Sequence, residues 1–206
     1  MTNQPNNISQ DSTTQWQERF LALLKPHHDS LARFARAMTK TPDDARDLVS
    51  DTIEQAYKNF HSLKNEGAFL SWLFTIASRL EKRRRWRERL FERFDPLLHD
   101  DDSYGEIHSP AANAEVQYDT HLLYDALQRL PHKQREAFTL FEISGFSLQE
   151  IQELQGDSLS AVKMRVVRAR EALRSMLGDA PQERAIIHHL TNAPERGDIA
   201  ALKKHS

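Results

Sequence analysis

The chain contains no cysteine in its 206 residues. That excludes a disulfide framework and a cysteine-ligated metal centre, and it suits a reducing cytoplasm. Glycine is scarce, six in all against 28% charged residues, a balance that suits a mostly helical soluble protein. No glycine-rich phosphate loop, Ser-His-Asp set or zinc pattern is visible. The adjacent pairs His27, His28 and His188, His189 lack the i, i+4 spacing of helical metal ligands and read as surface residues. No apolar run approaches the roughly 18 residues of a membrane span. The opening MTNQPNNISQDSTTQ lacks the apolar stretch of a signal peptide and reads as a disordered leader. With 39% hydrophobic residues, one moderate core or two small ones can form.

Charge of one sign is also missing locally. Residues 95–119 hold seven acids and no Lys or Arg, although the chain as a whole is nearly balanced at −2. Just before them, residues 76–93 hold eight cations against three acids. Local fields steer partners, whereas net charge mainly reports solubility. Segregation on this scale suggests two nucleic-acid-binding modules separated by an acidic segment.

A second basic patch lies in residues 156–173, GDSLSAVKMRVVRAREAL. Val162, Val166, Ala169 and Leu173 form an apolar stripe at helical spacing, and Lys163, Arg165, Arg168 and Arg170 occupy the remaining arc. Upstream, Ile151 and Leu154 mark a short helix that Gly156 can end in the left-handed conformation. Ser158 can cap the next helix. Two short helices joined by a tight glycine turn, the second one basic, form a helix-turn-helix whose second helix enters the major groove.

The remaining periodicity is helical almost throughout. It predicts helices over 15–24, 28–39, 42–60 and 66–93, the last with a break near Leu80, and over 116–130, 132–144, 147–154 and 158–177. Thr41 is a predicted N-cap, followed by Pro42 at the first helical position and by Asp43 and Asp44 at the positive end of the dipole. Val49, Ile53, Ala56 and Phe60 are the expected buried stripe of that helix. Leu70, Leu73, Phe74, Ile76, Ala77 and Leu80 play the same part in the next. Two further short helices are expected to begin at Pro181 and Pro194.

Two other motifs carry chemistry. DDARD at residues 43–47 matches a magnesium-binding DDxxD pattern, but a helical half of about 80 residues has no room for the large apolar cavity such enzymes need. A surface for a basic protein partner fits it better. In EKRRRWRER, cations beside Trp86, with Trp72 and Phe69 upstream, suit phosphates and unstacked bases.

Taken in order, these segments resemble the extracytoplasmic-function (ECF) class of bacterial RNA polymerase sigma factors, over about residues 15–177. DDARDLVSDTIEQAYKNF is similar to the acidic helix of sigma region two, and FLSWLFTIASRLEKRRR to the adjoining segment that melts and reads the −10 element. ALQRLPHKQREAFTLFEISGFSLQEIQELQGDSLSAVKMRVVRAREAL resembles region four. The resemblance implies an all-α protein of two small helical domains joined by an acidic flexible linker. Its parts are a leader (1–14), region two (15–94), the linker (95–115), region four (116–177) and a C-terminal extension without a family role (178–206).

The resemblance also implies site residues. Asp43, Asp44, Asp47 and Asp51 would lie against basic helices of core RNA polymerase. Lys64, Asn65, Phe69, Trp72, Arg79, Lys82, Arg83 and Arg84 would serve the −10 element. Ser160, Lys163, Met164, Arg165, Val167 and Arg168 would meet the −35 duplex. No catalytic residue, metal or cofactor is implied. The partners implied are core polymerase, promoter DNA and an anti-sigma factor, in the cytoplasm and without membrane insertion. Three features depart from the family pattern: Ser78-Arg79 in place of Arg-Asn, Ser160-Ala161 in place of Gly-Thr, and Met164 in place of serine. Two other readings remain open at this stage, an ordinary helix-turn-helix regulator and an enzyme with a DDxxD metal site.

Overall fold

The computed structural model describes residues 7–94 and 114–178, with side-chain environments over 14–90 and 121–178. The described residues are all helical, joined by turns. The helices are α1 (Asn7–Leu24), α2 (His28–Met38), α3 (Pro42–Asn59), α4 (Phe69–Phe94), α5 (Ala114–Gln128), α6 (His132–Phe138), α7 (Leu148–Gln155) and α8 (Leu159–Leu177). The expected leader is helical from Asn7 onwards. α4 runs unbroken past Leu80. The expected tail helices at Pro181 and Pro194 lie outside the described residues.

Two compact units form. The first takes in the chain up to Ala32 and again from Asp47 through α4. Its centre is an aromatic knot in which Phe20 meets Phe60 and Phe69 edge-on at 5.2 and 5.9 Å, and Trp16 packs on Phe60 at 4.8 Å. Edge-to-face pairs of this kind add stabilisation beyond their buried area. Along α3 the buried line is Leu48, Thr52, Ala56 and Phe60, while Val49 and Ile53 are only half-buried. Ala56 and Phe60 are buried as the apolar pattern predicts, but Leu48 and Thr52 take the places of Val49 and Ile53, and the Thr52 hydroxyl donates to the Leu48 carbonyl at 2.6 Å. Satisfied in this way, a polar side chain can be buried. In α4, Phe69, Leu73, Phe74 and Ala77 are buried, and Leu70, Ile76 and Leu80 flank them half-exposed. His27, read as a surface residue, is half-buried and stacks on Phe69.

The second unit combines Arg33–Arg46 with α5 to α8. Leu123, Leu127, Leu130, Phe138, Ile143, Ala169 and Leu173 share a core with Ala37. Gln128 donates its amide to the carbonyls of Ala37 (2.9 Å) and Thr39 (2.7 Å), which the end of α2 leaves unpaired. Arg36 lies over the Tyr124 ring at 5.0 Å. Burial raises the Tyr124 pKa, against the opposing charges of Arg36 and Arg33, so the phenol stays neutral.

The predicted helix over 132–144 is an α-helix only to Phe138. It continues as a π-turn over Thr139–Ile143, closed by the Ser144 N–H to Thr139 O bond at 3.0 Å. Ala137, Phe138, Thr139 and Leu140 are consecutive and all buried. An α-helical face cannot cover four residues in a row, and the wider turn relieves that conflict.

Candidate nucleic-acid interface

The helix-turn-helix is built by local chemistry. Ser147 and Glu150 form a reciprocal capping box at the start of α7. Gly156 ends α7 at φ +67°, a conformation that a side chain would strain. Ser158 then accepts from the Ala161 N–H at 3.2 Å and starts α8. Val162, Val166, Ala169 and Leu173 are buried as the spacing predicts.

That burial decides which side chains α8 presents. Ser160, Lys163, Met164, Val167 and Arg168 are all exposed. Met164 and Val167 remain 48% and 40% exposed although apolar. A helix face that mixes cations, a hydroxyl and uncovered apolar groups has the functional groups that read base edges and thymine methyls in the major groove.

Arg165 behaves differently. Its side chain is 17% exposed and donates to Asp157 at 2.8 Å and to the Gln155 side-chain carbonyl at 2.6 Å. Asp157 also accepts from Lys133 at 2.9 Å. The Arg165 and Lys133 hydrogen bonds pull the Asp157 pKa from 3.8 down to about 2. Arg170 is likewise engaged, ion-paired with Glu142 on the π-turn and lying 5.6 Å from the centre of the Phe141 ring.

In the first unit, the residues before α4 form an exposed loop. Lys64 and Asn65 face solvent, and the Asn65 side chain accepts from the Gly67 N–H at 2.9 Å to start a short 3-10 turn. Arg79, Lys82 and Arg83 are exposed along α4, and Arg84 is half-buried beside Glu88 at 3.6 Å. Trp72 is half-buried against Phe69. Phe69 itself is 1% exposed in the aromatic knot, packed among Phe20, Phe60 and Trp72. Trp86, which the sequence sets beside cations suited to unstacked bases, is 58% exposed between the exposed cations Arg83 and Arg87.

The four aspartates lie in the first ten residues of α3, Asp43 and Asp44 in its first turn. Asp44 is the N3 partner of Thr41, donating its N–H to the Thr41 hydroxyl at 3.1 Å while its carboxylate accepts from that hydroxyl at 2.7 Å. Asp43 is ion-paired with Arg46. Asp47 and Asp51 are exposed, one turn apart. Among the described residues, no group of three or more potential ligands is placed to hold a metal ion. No helix among them is long and apolar enough to cross a membrane.

Fold and exposed faces together define a class, an all-helical DNA-binding protein with a helix-turn-helix. Comparison with known proteins narrows it. Residues 23–90 match the Sigma-70 region 2 model and residues 120–173 the Sigma-70 region 4 model. The chain is 31% identical over 162 residues to the ECF RNA polymerase sigma factor SigM of Mycobacterium tuberculosis, covering 77% of each chain. It is 34% identical over 150 residues to the ECF RNA polymerase sigma factor EcfG of Rhodopseudomonas palustris, covering 72% of this chain and 79% of that one. Among solved structures it resembles the sigma factor RpoE of Bartonella quintana in complex with the anti-sigma factor NepR. That likeness has a TM-score of 0.61 at 27% identity and covers 79% of this chain and 96% of the other. The chain belongs to the ECF family of RNA polymerase sigma factors. Its role is promoter-specific transcription initiation, and it is not catalytic. The metal-enzyme and simple-regulator readings are thereby displaced.

Proposed function

We propose that the exposed face of α8 reads the −35 element, with Lys163 and Arg168 supplying the polar contacts and Met164 and Val167 the apolar ones. The observation that carries this reading is the burial of Val162, Val166, Ala169 and Leu173, which turns the other side of the helix outward. The loop with Lys64 and Asn65, the half-buried Trp72 and the cations Arg79, Lys82, Arg83 and Arg84 serve the −10 element and its flanking phosphates and assist melting. Trp86 adds an exposed stacking surface beside them. Asp47 and Asp51, with Asp43, dock on a basic surface of core RNA polymerase, while Asp44 holds the start of the helix. The acidic linker passes through the nucleic-acid channel of the polymerase, where its charge imitates nucleic acid. The protein acts in the cytoplasm under an anti-sigma factor, the kind of partner its structural relative RpoE carries, in a stress or envelope response.

The test is transcription by core polymerase reconstituted with this chain, once its promoters are mapped. Arg168→Ala should weaken use of the wild-type −35 element by about 1–3 kcal/mol and relax selection at one base pair. Equal transcription from wild-type and −35-scrambled promoters would overturn the assignment of α8.

A further inference from the structure

Arg165 lies in the middle of the basic helix, yet its guanidinium is turned inward. It reaches back across the turn to Asp157 (2.8 Å) and to Gln155 at the end of α7 (2.6 Å). Asp157 is held at the same time by Lys133 of α6 at 2.9 Å. Gln155 also donates to the Lys133 carbonyl at 3.1 Å and to the Glu136 carboxylate at 2.9 Å. One polar network thus joins α6, α7, the turn and α8.

We propose that Arg165 is a positioning residue rather than a base reader, and that Arg165, Asp157, Gln155 and Lys133 form a clamp fixing the angle at which α8 presents its exposed face to the −35 duplex. The inference rests on the −35 reading above. The Arg165 and Asp157 bonds tie α8 and the turn to one another, to α7 and to α6, and the Gln155 bonds tie α7 to α6, so none of the partners belongs to the exposed face. Both bonds leave from Nη1, and keeping them holds the guanidinium folded back over the turn with its side chain only 17% exposed, away from the outward face of α8. A clamp acts on every contact of the helix at once, whereas a reader acts on one.

This difference makes the test. Full-length protein, assembled with core polymerase, is given a pool of promoter fragments randomised at the −35 element, and transcripts are sequenced. Arg168→Ala is the reference for a reader, losing preference at one position by roughly 5- to 150-fold. Arg165→Gln and Asp157→Asn should each flatten several positions together, and the double variant should be no worse than the poorer single variant, as for members of one network. The dependence of binding on salt should keep the wild-type slope in Arg165→Gln, whereas losing a phosphate contact lowers that slope by about 1. If Arg165→Gln does not fold by circular dichroism, the Lys133–Asp157 pair decides, since Lys133→Gln and Asp157→Asn leave Arg165 in place. Flattening of a single position by Arg165→Gln, a lowered salt slope, or no effect of Asp157→Asn would overturn the proposal. A wild-type protein with no −35 preference at all would instead overturn the −35 reading, and the clamp with it.

Discussion

A carboxylate between two cations is a sensitive point in a turn, and Asp157 is placed there by Arg165 and Lys133. Its pKa lies below the ordinary 3.8, at about 2, so the folded state binds that proton more weakly than the unfolded chain does. The resulting stability is fully present above pH 3.8 and is lost as the pH falls through about 2. Melting temperatures of wild type and Asp157→Asn should therefore differ by a constant amount well above pH 3.8 and converge between that value and about 2. A gap that stays constant across this range would show that the carboxylate is not held as the geometry describes. At this scale the sequence was partly legible. It placed Arg165 on the basic arc but held no local sign that Gln155 and Asp157 engage it, because that depends on the angle between two helices. The burial of Phe69 was illegible for a similar reason. An aromatic residue beside a basic run looks available to bases until Phe20 and Phe60 are seen to enclose it.

Among the elements, α3 offers the cleanest separation of folding from docking. Leu48, Thr52, Ala56 and Phe60 face the core, whereas Asp47 and Asp51 face solvent. Exposed substitutions of this kind usually change stability by no more than about 0.5 kcal/mol. An Asp47→Arg/Asp51→Arg variant should keep the circular dichroism spectrum and melting behaviour of wild type. Against a basic polymerase surface it brings like charges together and removes charge-assisted pairs, which should weaken association by several kcal/mol. A pull-down of core polymerase measures this directly, and a folded variant that still binds normally would remove the polymerase-docking role from α3. Several element boundaries were legible because caps announce them: Thr41 before Pro42, Gly156 and Ser158. The π-turn over Thr139–Ile143 was not, since residue types that favour an α-helix also fill a π-turn and only the crowding of buried neighbours selects it.

For the molecule as a whole, the all-helical architecture was legible from periodicity, a property of single segments, and the order of the two regions from the motifs that carry the resemblance to the family. The composition of the second unit was not. It includes Arg33–Arg46, far upstream of α5, and no periodicity reports which distant surfaces meet. α8 ends at Leu177, where the Gly178 N–H closes on the Arg174 carbonyl at 3.0 Å, nine residues beyond Arg168 on the exposed face. Removing residues 179–206 should therefore leave the set of promoters unchanged, whatever it does to stability, inhibition or polymerase affinity. Promoter mapping with the truncated chain checks this, and a shifted set would assign the extension a part in recognition.

The two hydrogen bonds from Gln128 span 91 and 89 residues of chain. On the ribosome, where about 5–20 residues are added each second, the end of α2 emerges some 5–20 s before the side chain that completes it. During that interval the Ala37 and Thr39 carbonyls have only water or a chaperone to bond. The second unit thus waits for α5 to α8, and a pause in synthesis between α2 and α5 would prolong the exposure of Ala37 and Arg36.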